Sequence, residues 1–591
     1  MTDISRLEAQ GITVLLHKDQ ILFEGSHSLI YLSKVAEYPK PVIIKILKKE
    51  QPLLQEIAQF NNEFEFTNPV HILGIRRAHQ KTHYHHQSAL ILEYIAGQTL
   101  KNNIETHTLA LSEALNIAIK ICQILGEIHQ IGLIHKDINP SNILIEEHTD
   151  QPWFIDFGIS CKWNIKVPHL NPSYHLEGTL AYLSPEQTGR MNRVVDYRTD
   201  LYSLGVTLYE MLTGELPFNA SDSIGWVHAH IARHPQPPSE INPMIPKALS
   251  QIILKLMAKN AEDRYQSAFG LKNDLEKIVQ NHTVFELGQE DYSARLQIPQ
   301  KLYGREQETD ILLDAFDRIS QGKFELMLIS GYSGVGKTAL VYLLHKPITE
   351  KYGYFISGKF DQFQRNIPYS VFTQAFNQLC EYLLRESEAH LGQWRQKILA
   401  AVGNNGQVLL DIIPKLEWII GSQPEIPILA PMEAQNRFNL YFGYFMEALC
   451  TVEHPLVIFI DDLQWADWAS LQLLNLLFSE EHHYLLLVGA YRDNEVSPRH
   501  PMMLTVEEIK SRGNPIHQIH LDNLSQEDLS LLLAETLNDP EQLNELFDLI
   551  YEKTQGNAFF VTQFLHSLNE EQLLVFHFES RKWDWDVLEI K

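Results

Sequence analysis

The chain has 591 residues, 45% of them apolar, and a formal net charge of −26. This length exceeds what one hydrophobic core holds and predicts roughly three or four domains. The acidic charge argues against binding to nucleic acid or anionic lipid, which rests on basic surface. The sequence lacks a run of roughly 20 apolar residues for a membrane helix, a secretory signal and any CxxC pair. These features predict a cytoplasmic protein.

The N-terminal part of the chain has strand patterns followed by helix patterns. Short apolar runs between polar breaks predict strands between residues 20 and 47. Helical spacing of apolar residues predicts helices over residues 51–66, 111–129, 200–213 and 248–258. We therefore expect a two-lobed α+β domain over residues 1–280, followed by a polar linker over 281–300.

Four separated motifs in this domain carry chemistry. VIIK places Lys45 on a predicted strand, Glu63 lies on the next predicted helix, HKDINPSN supplies Asp137 and Asn142, and DFG supplies Asp156. Transfer of a γ-phosphoryl group needs a cation on the phosphates, metal ligands and a carboxylate near the attacking hydroxyl. Lys45 and Glu63 are predicted to bind ATP. Asn142 and Asp156 are predicted to bind Mg²⁺, and Asp137 to be the catalytic carboxylate.

On these motifs, residues 11–277 resemble a eukaryotic-type serine/threonine protein kinase domain. The resemblance implies that SPE, residues 184–186, ends the activation segment. It also implies that Arg264 pairs with Glu186 and that Asp200 braces the catalytic loop. We therefore expect the two-lobed protein-kinase fold.

The resemblance implies further contacts with ATP and substrate. In EYIAG, which resembles the hinge, Glu93 and Ile95 are expected at the adenine. Thr179 in GTLAY implies a substrate hydroxyl from Ser or Thr. Lys136 replaces the Arg usual before the catalytic Asp, so an activation-segment phosphate on Thr179 or Ser173 would meet it only as a point charge.

Two departures from the kinase pattern bear on activity. The expected phosphate-covering loop, FEGSHSLI, keeps Gly25 but not the other two usual glycines, and Ser26 beside it is still expected at the phosphates. Because Gly lets backbone approach phosphates closely, the loss predicts weaker ATP binding. Asn139 stands where a Lys usually neutralises γ-phosphoryl charge, a contact worth about 3 kcal/mol. As a catalytic residue, Asn139 keeps a donor but loses the charge.

A second nucleotide site is predicted at GYSGVGKT, residues 331–338. The sequence has the full GxxxxGK[ST] pattern between a predicted strand and a predicted helix. Backbone N–H groups would wrap the β-phosphate, Lys337 would reach the β/γ oxygens, and Thr338 would ligate Mg²⁺. The predicted ATP-binding residues are Gly331, Ser333, Gly334, Val335, Gly336, Lys337 and Thr338.

Downstream segments complete this second site. The apolar strand in LVIFIDDLQWAD ends in Asp461, predicted to hold Mg²⁺ through water, and Asp462, predicted to polarise the attacking water. After a further strand, Arg492 is predicted to sense the γ-phosphate. Alternating strands and helices predict a parallel α/β P-loop ATPase over residues 301–520, followed by a helical lid over 521–570.

With YGRE ahead of the P-loop, this region resembles signal-transducing ATPases of the AAA-like, STAND type. Such proteins act as ATP-dependent switches, and the resemblance leaves room for ATP-dependent oligomerisation. In that group GNP in the lid often contacts nucleotide, whereas this chain has GNA, residues 556–558. The motif GKFDQFQRNIPYS further resembles large bacterial, notably cyanobacterial, kinase–ATPase–GAF–histidine kinase proteins. The resemblance implies that residues 571–591 begin a truncated winged-helix-like region and that a histidine kinase or response regulator is a partner.

Three functional interpretations follow from the sequence. The favoured one is an active kinase acting on protein Ser/Thr and coupled to the ATPase. The alternative is a pseudokinase interaction module, supported by Asn139 and the glycine-poor loop, with ATP turnover confined to the P-loop domain. A third, a small-molecule phosphotransferase, fits the catalytic loop but not SPE or Thr179.

Overall fold

A computed structural model describes residues 5–9, 12–16, 21–25, 27–35, 37–49, 51–84, 87–106, 109–163, 176–191, 193–280, 285–292, 295–362, 367–479, 482–537, 544–577 and 582–590. The chain forms two compact units. Unit 1 comprises Met1–Thr188, Val194–Asn219 and His234–Ser293. Unit 2 comprises Gly189–Arg193, Ala220–Arg233 and Ala294–Lys591. Within the described ranges, no helix is long and apolar enough to cross a bilayer.

The elements are numbered along the chain. The strands are β1 (Ser5–Ala9), β2 (Ile12–Leu16), β3 (Ile21–Glu24), β4 (Ser28–Ser33), β5 (Val42–Leu47), β6 (Ala78–Tyr84), β7 (Gln87–Glu93), β8 (Gly97–Thr99), β9 (Leu133–Ile134), β10 (Ile143–Glu146), β11 (Pro152–Phe154), β12 (Cys161–Lys162), β13 (Phe324–Gly331), β14 (Tyr354–Lys359), β15 (Leu456–Asp461), β16 (Leu485–Tyr491), β17 (Ile516–Leu521), β18 (Leu574–His577) and β19 (Lys582–Trp585). The helices are α1 (Leu54–Thr67), α2 (Leu100–Thr106), α3 (Leu111–Gln130), α4 (Arg198–Thr213), α5 (Ser223–Ala232), α6 (Pro238–Ile241), α7 (Lys247–Leu256), α8 (Ala268–Val279), α9 (Glu306–Ser320), α10 (Lys337–Tyr342), α11 (His345–Glu350), α12 (Ser370–Leu383), α13 (Glu388–Val402), α14 (Gln407–Leu410), α15 (Glu417–Ile420), α16 (Pro431–Leu449), α17 (Trp468–Leu477), α18 (Pro501–Ser511), α19 (Gln526–Leu537), α20 (Asn544–Thr554), α21 (Ala558–Glu570) and α22 (Val587–Ile590).

Unit 1 combines an antiparallel sheet with a helical part. In the described residues the sheet has the order β2-β1-β6-β7-β5-β4-β3. The predicted strands between residues 20 and 47 are present as β3, β4 and β5, and the four predicted helices as α1, α3, α4 and α7. Helix α4 is buried along nearly its whole length. Its buried polar side chains are hydrogen-bonded, as buried polar groups must be: Asp200 accepts from the backbone of His135 and Lys136, and Glu210 accepts from Tyr182.

The alternation of side chains along β5 places Lys45 beside α1. Ile44 and Ile46 belong to one buried cluster, whereas Ile43 lies in another together with Phe60 of α1. Because successive residues of a strand point to opposite faces, Lys45 shares the face of Ile43. The sheet pattern therefore directs this cation toward the helix that carries Glu63.

Unit 2 contains a parallel sheet of order β14-β15-β16-β13-β17 among its described residues. It confirms the predicted parallel α/β arrangement. Buried apolar side chains of β13, β15 and β16 pack with those of α9, α10 and α11 in one core. Since parallel strands end at one edge of the sheet, residues that follow these strands gather there. A separate core joins α19, α20 and α21 to the β18–β19 hairpin.

A buried ion pair ties the end of the activation segment to unit 1. The Arg264 guanidinium donates to both Glu186 oxygens, at 2.6 and 2.8 Å, and the two residues are 1% and 3% exposed. Thr199 Oγ1 also donates to Glu186, at 2.8 Å. Burial disfavours the charge, but Arg264 and these hydrogen bonds outweigh burial and lower the pKa of Glu186 to about 2. The pairing implied by the kinase resemblance is confirmed.

We expect Arg264→Leu to destabilise unit 1 by about 3–5 kcal/mol, because it leaves a buried, unpaired carboxylate. The Glu186 pKa is depressed on folding, so its stabilisation is present above the ordinary value of 4.5 and is lost as pH falls from there toward about 2. Hydrogen exchange of α4 peptides in the full chain measures the loss near neutral pH. The double variant Arg264→Leu, Glu186→Leu should recover part of the protection. Unchanged α4 exchange in the single variant would contradict this expectation.

Two candidate nucleotide sites

The first site centres on a buried cation between two carboxylates. Lys45 Nζ lies 2.6 Å from Glu63 Oε2 and 3.1 Å from Asp156 Oδ1. Burial disfavours the ammonium, but Asp156 and Glu63 outweigh it and raise the pKa of Lys45. Lys45 in turn lowers the pKa of Asp156. The predicted pairing of Lys45 with Glu63 is confirmed.

The catalytic loop is held from both sides. The fully buried Asp200 carboxylate accepts from the backbone N–H groups of His135 and Lys136, at 2.9 and 2.8 Å. On the other side Asn142 Nδ2 donates to Asp137 Oδ2, at 2.8 Å, and Thr179 N donates to Asp137 Oδ1, also at 2.8 Å. The bracing role implied for Asp200 is thereby confirmed. The same contacts bring Asp137 and Asn142 together as predicted.

Asn139 is committed to contacts inside the loop. Its side chain is 2% exposed, and Nδ2 donates to Asp137 O and to Thr179 Oγ1, both at 3.1 Å. Its Oδ1 accepts from Ser141 N at 3.0 Å and caps the short 3₁₀ turn at Pro140–Asn142. Asn139 thus links the catalytic loop to the activation segment. Its contact with a phosphate stays a prediction.

Glu177 of the activation segment forms an ion pair with Lys136. Lys136 Nζ lies 2.8 Å from Glu177 Oε2, and the side chains are 17% and 33% exposed. Thr179, two residues later, is the neighbour of Asp137 and Asn139. Ser173, the other predicted phosphate acceptor, lies outside the described residues. Sequence reasoning missed Glu177, because its distance along the chain gives no sign that it meets Lys136.

The remaining predicted ATP contacts lie along the sheet of unit 1. Gly25 lies in the turn between β3 and β4, and its N–H donates to Ser28 O at 3.0 Å. Ser26 lies outside the described residues. Glu93 is the last residue of β7, and Ile95 follows it with 7% exposure. Their contacts with adenine stay predictions.

The second site is the glycine-rich loop between β13 and α10, where the sequence predicts phosphate binding. Gly331, Gly334 and Gly336 have φ values of 146°, 84° and 102°. Those left-handed conformations favour glycine. Lys337 Nζ donates to the carbonyls of Gly331 and Tyr332, at 2.7 and 2.8 Å. Burial lowers the Lys337 pKa against the attraction of nearby carboxylates.

The predicted magnesium and water-activating groups meet at the adjacent strand end. Thr338 Oγ1 lies 3.5 Å from Asp461 Oδ2. Asp462 Oδ1 accepts from Gln464 Nε2 at 2.8 Å and lies 3.3 Å from Arg492 Nε. Burial opposes ionisation of Asp462, but Gln464, Lys359 and Arg492 outweigh it and lower the pKa of Asp462. A hydroxyl beside a carboxylate is an oxygen set that suits Mg²⁺.

Lys359 is a residue of this site that sequence reasoning missed. It ends β14, opposite Asp461 in the sheet register. Its Nζ lies 3.0 Å from Asp462 Oδ2 and 3.5 Å from Asp461 Oδ2. Burial disfavours its charge, but both carboxylates outweigh it and raise the pKa of Lys359. The available signal was the end of a buried strand in a parallel sheet, within the motif GKFDQFQRNIPYS.

The helical region that follows the sheet contacts the P-loop directly. Asn557 Nδ2 donates to Ser333 O at 3.0 Å, and Phe559 N donates to Gly334 O at 3.1 Å. Asn557 also caps α21. GNA in place of GNP therefore retains a contact between this helix and the loop. Contact of the lid with nucleotide stays a prediction.

Two family models match successive parts of this chain. Residues 16–278 match the family model of the protein kinase domain, and residues 301–488 match that of the AAA ATPase domain. Hybrid signal transduction histidine kinase G of Dictyostelium discoideum is 30% identical over 84% of this chain and 19% of that protein. A probable serine/threonine-protein kinase of Clostridium perfringens is 35% identical over 45% of this chain and 38% of its own length. The solved PknI kinase domain of Mycobacterium tuberculosis, 20% identical with a TM-score of 0.36, covers 46% of this chain and 98% of its own.

The chain therefore contains a protein kinase domain with serine/threonine kinase relatives, followed by an AAA ATPase domain. Both domains imply the use of ATP. The chain spans 19% and 38% of the lengths of the two curated relatives named above.

We expect Glu177→Ala to lower kcat/KM for phosphotransfer about fivefold, because Lys136 loses an anion in a partly exposed pair worth about 1 kcal/mol. Glu177→Asp should retain part of the rate. Incorporation of labelled phosphate into a generic protein substrate measures the effect. Glu113→Ala, which removes an exposed Glu from α3, serves as the control. Equal rates in Glu177→Ala and the parent would show that the Glu177–Lys136 pair does not contribute to phosphotransfer.

We expect Lys359→Ala to lower the Mg²⁺ concentration needed for half-maximal binding of fluorescent ATP at the second site by about threefold. The reason is that a half-solvated cation no longer competes for the carboxylates. The measurement uses Lys45→Ala as the background, to weaken binding at the first site. Lys323→Ala, which removes an exposed lysine before β13, is the matched control. A rise in the Mg²⁺ requirement would show that the competition does not exist.

Proposed function

We propose that the chain is an ATP-dependent serine/threonine protein kinase of bacterial signal transduction, coupled to a regulatory STAND-type switch in its second domain. The observation that carries this proposal is the charged cluster of Lys45, Glu63 and Asp156 beside the hydrogen-bonded pair of Asp137 and Asn142. These are the groups that phosphoryl transfer requires. We retain residues 1–280 as the kinase domain.

In the first site each residue has a distinct task. Mg·ATP, when bound, supplies the γ-phosphoryl group and neutralises its developing charge. Lys45 would bind the α/β-phosphates, oriented by Glu63, and the side-chain oxygens of Asn142 and Asp156 would hold the metal. Asp137 would orient the substrate hydroxyl and take its proton. Gly25, Ser26, Glu93 and Ile95 are proposed to complete the ATP contacts, and Asn139 the γ-phosphate contact.

In the second site, the P-loop amides and Lys337 would bind phosphates, and Thr338 and Asp461 would hold Mg²⁺. Asp462 is kept ionised by its neighbours and would polarise water. Arg492 lies beside Asp462 and would respond to the γ-phosphate. The contact of Asn557 with the P-loop supports a lid whose position depends on nucleotide. Slow hydrolysis would then reset the switch.

A pseudokinase interaction module is the second candidate. It is favoured by Asn139, whose buried amide is occupied by Asp137, Ser141 and Thr179 and carries no charge. In that case ATP turnover would occur at the P-loop alone. The relationship to a hybrid histidine kinase supports, for either candidate, a partner histidine kinase or response regulator.

We expect Asp137→Ala to lower phosphate transfer to protein by about a hundredfold or more, since positioned carboxylates contribute at least that much. Phosphate release by the second site should continue. Lys337→Ala should instead lower phosphate release by the second site, while phosphate transfer to protein continues. Each variant is therefore the control for the other. Labelled ATP with a generic protein substrate reports both reactions. If Asp137→Ala leaves transfer unchanged while Lys337→Ala abolishes all turnover, the kinase assignment fails.

A further inference from the structure

We propose that Arg76 is a positioning residue of the first nucleotide site, which holds Glu63 so that Lys45 stays available to the phosphates. The inference rests on the proposed kinase function. None of the four sequence motifs includes Arg76. It lies in the segment between α1 and β6, where its charge gives no sign of its partner.

The Glu63 carboxylate is divided between two cations. Its Oε2 lies 2.6 Å from Lys45 Nζ, and its Oε1 accepts from Arg76 Nη2 at 3.1 Å. Glu63 is 2% exposed and Arg76 is 7% exposed. A buried charge is costly unless it is paired and hydrogen-bonded, so this arrangement satisfies each carboxylate oxygen with its own donor.

The backbone of Arg76 is fixed to the strand that leads to Asp156. Arg76 N donates to Phe154 O at 3.0 Å, and Ile75 forms a parallel bridge with Phe154. Phe154 ends β11, two residues before Asp156. Arg76 therefore connects the approach to Asp156, the proposed metal ligand, with the helix that carries Glu63.

The last turn of α1 is fastened to the same segment. Thr67 Oγ1 donates to Glu63 O at 2.6 Å and accepts from Ala78 N at 3.2 Å. Asn68 Nδ2 donates to Ala78 O at 2.9 Å. These bonds hold the backbone of α1, whereas Arg76 holds the carboxylate itself. The side chain of Glu63 would otherwise depend on Lys45 alone.

This division of the carboxylate matters when ATP binds. The Lys45 ammonium must then contact the α/β-phosphates, while the Glu63 carboxylate must stay in place beside it. The planar guanidinium fork of an arginine suits a carboxylate oxygen, and Arg76 Nη2 already donates to Glu63 Oε1. With Arg76 removed, Glu63 would pair with Lys45 only, and the ammonium would be drawn away from the phosphates.

The test uses the full chain with Lys337→Ala, which silences nucleotide binding at the second site. Into it we would introduce Arg76→Ala, Arg76→Lys and, as the matched control, Arg77→Ala. Arg77 is the next residue, and its contact with Glu93 N runs through its backbone carbonyl, which the change retains. The readouts are KM for ATP, kcat for protein phosphorylation, the Kd of a non-hydrolysable ATP analogue by calorimetry, and the melting temperature.

We expect Arg76→Ala to raise both KM and Kd about tenfold, a loss of about 1.4 kcal/mol. The change in kcat should be smaller, and Arg76→Lys should restore part of the affinity. A lowered melting temperature with unchanged Kd would overturn the proposal, because a purely structural role predicts that result. If Arg76→Ala does not fold, Arg76→Lys becomes the deciding variant. Parental affinity of Arg76→Lys for the ATP analogue would overturn the proposal, because it would show that the guanidinium fork is not needed. Absence of phosphotransfer in the parent refutes the kinase function, whereas the calorimetric Kd still tests Arg76.

Discussion

The need to keep a buried ammonium charged organises the first site. Lys45 is 12% exposed, and removal of such a group from water costs several kcal/mol unless anions surround it. Glu63 comes from α1 and Asp156 from the turn after β11, so the cation forces these elements to converge on β5. Arg76 then balances the charge by sharing Glu63. The position of α1 is thus a consequence of electrostatics as much as of apolar packing.

The lysine of the second site, Lys337, has different partners from Lys45. Lys337 donates to two backbone carbonyls, and its carboxylate neighbours do not offset burial, since its pKa is lowered. Dipoles repay less of the desolvation cost than an anion does. A phosphate would supply the missing negative charge. The two sites therefore differ in the partners of the lysine that is proposed to bind ATP. Carboxylates pair with Lys45 in the first site, whereas backbone carbonyls accept from Lys337 in the second.

The sequence was sufficient for the parts whose chemistry is local or follows a fixed order. Strands β3, β4 and β5 of unit 1, the parallel sheet of unit 2 and the pairing of Lys45 with Glu63 were predicted, because periodicity and motif order determine them. Arg76 and Lys359 were missed, since each meets its partner through packing between segments that no spacing rule relates. For Asn139 the sequence indicated a lost charge, and the structure adds that its amide is already occupied.

Gly334 lies in the glycine-rich loop and in contact with the start of α21. Its φ of 84° favours glycine, and a Cβ there would lie 2.6 Å from Asn557 Oδ1 and 2.9 Å from Phe559 Cβ. A methyl group at this position would thus displace α21 even before any nucleotide arrives. The missing side chain of Gly334 therefore serves both the backbone conformation of the loop and its close contact with α21. A substitution that changes one of these two features would change the other as well.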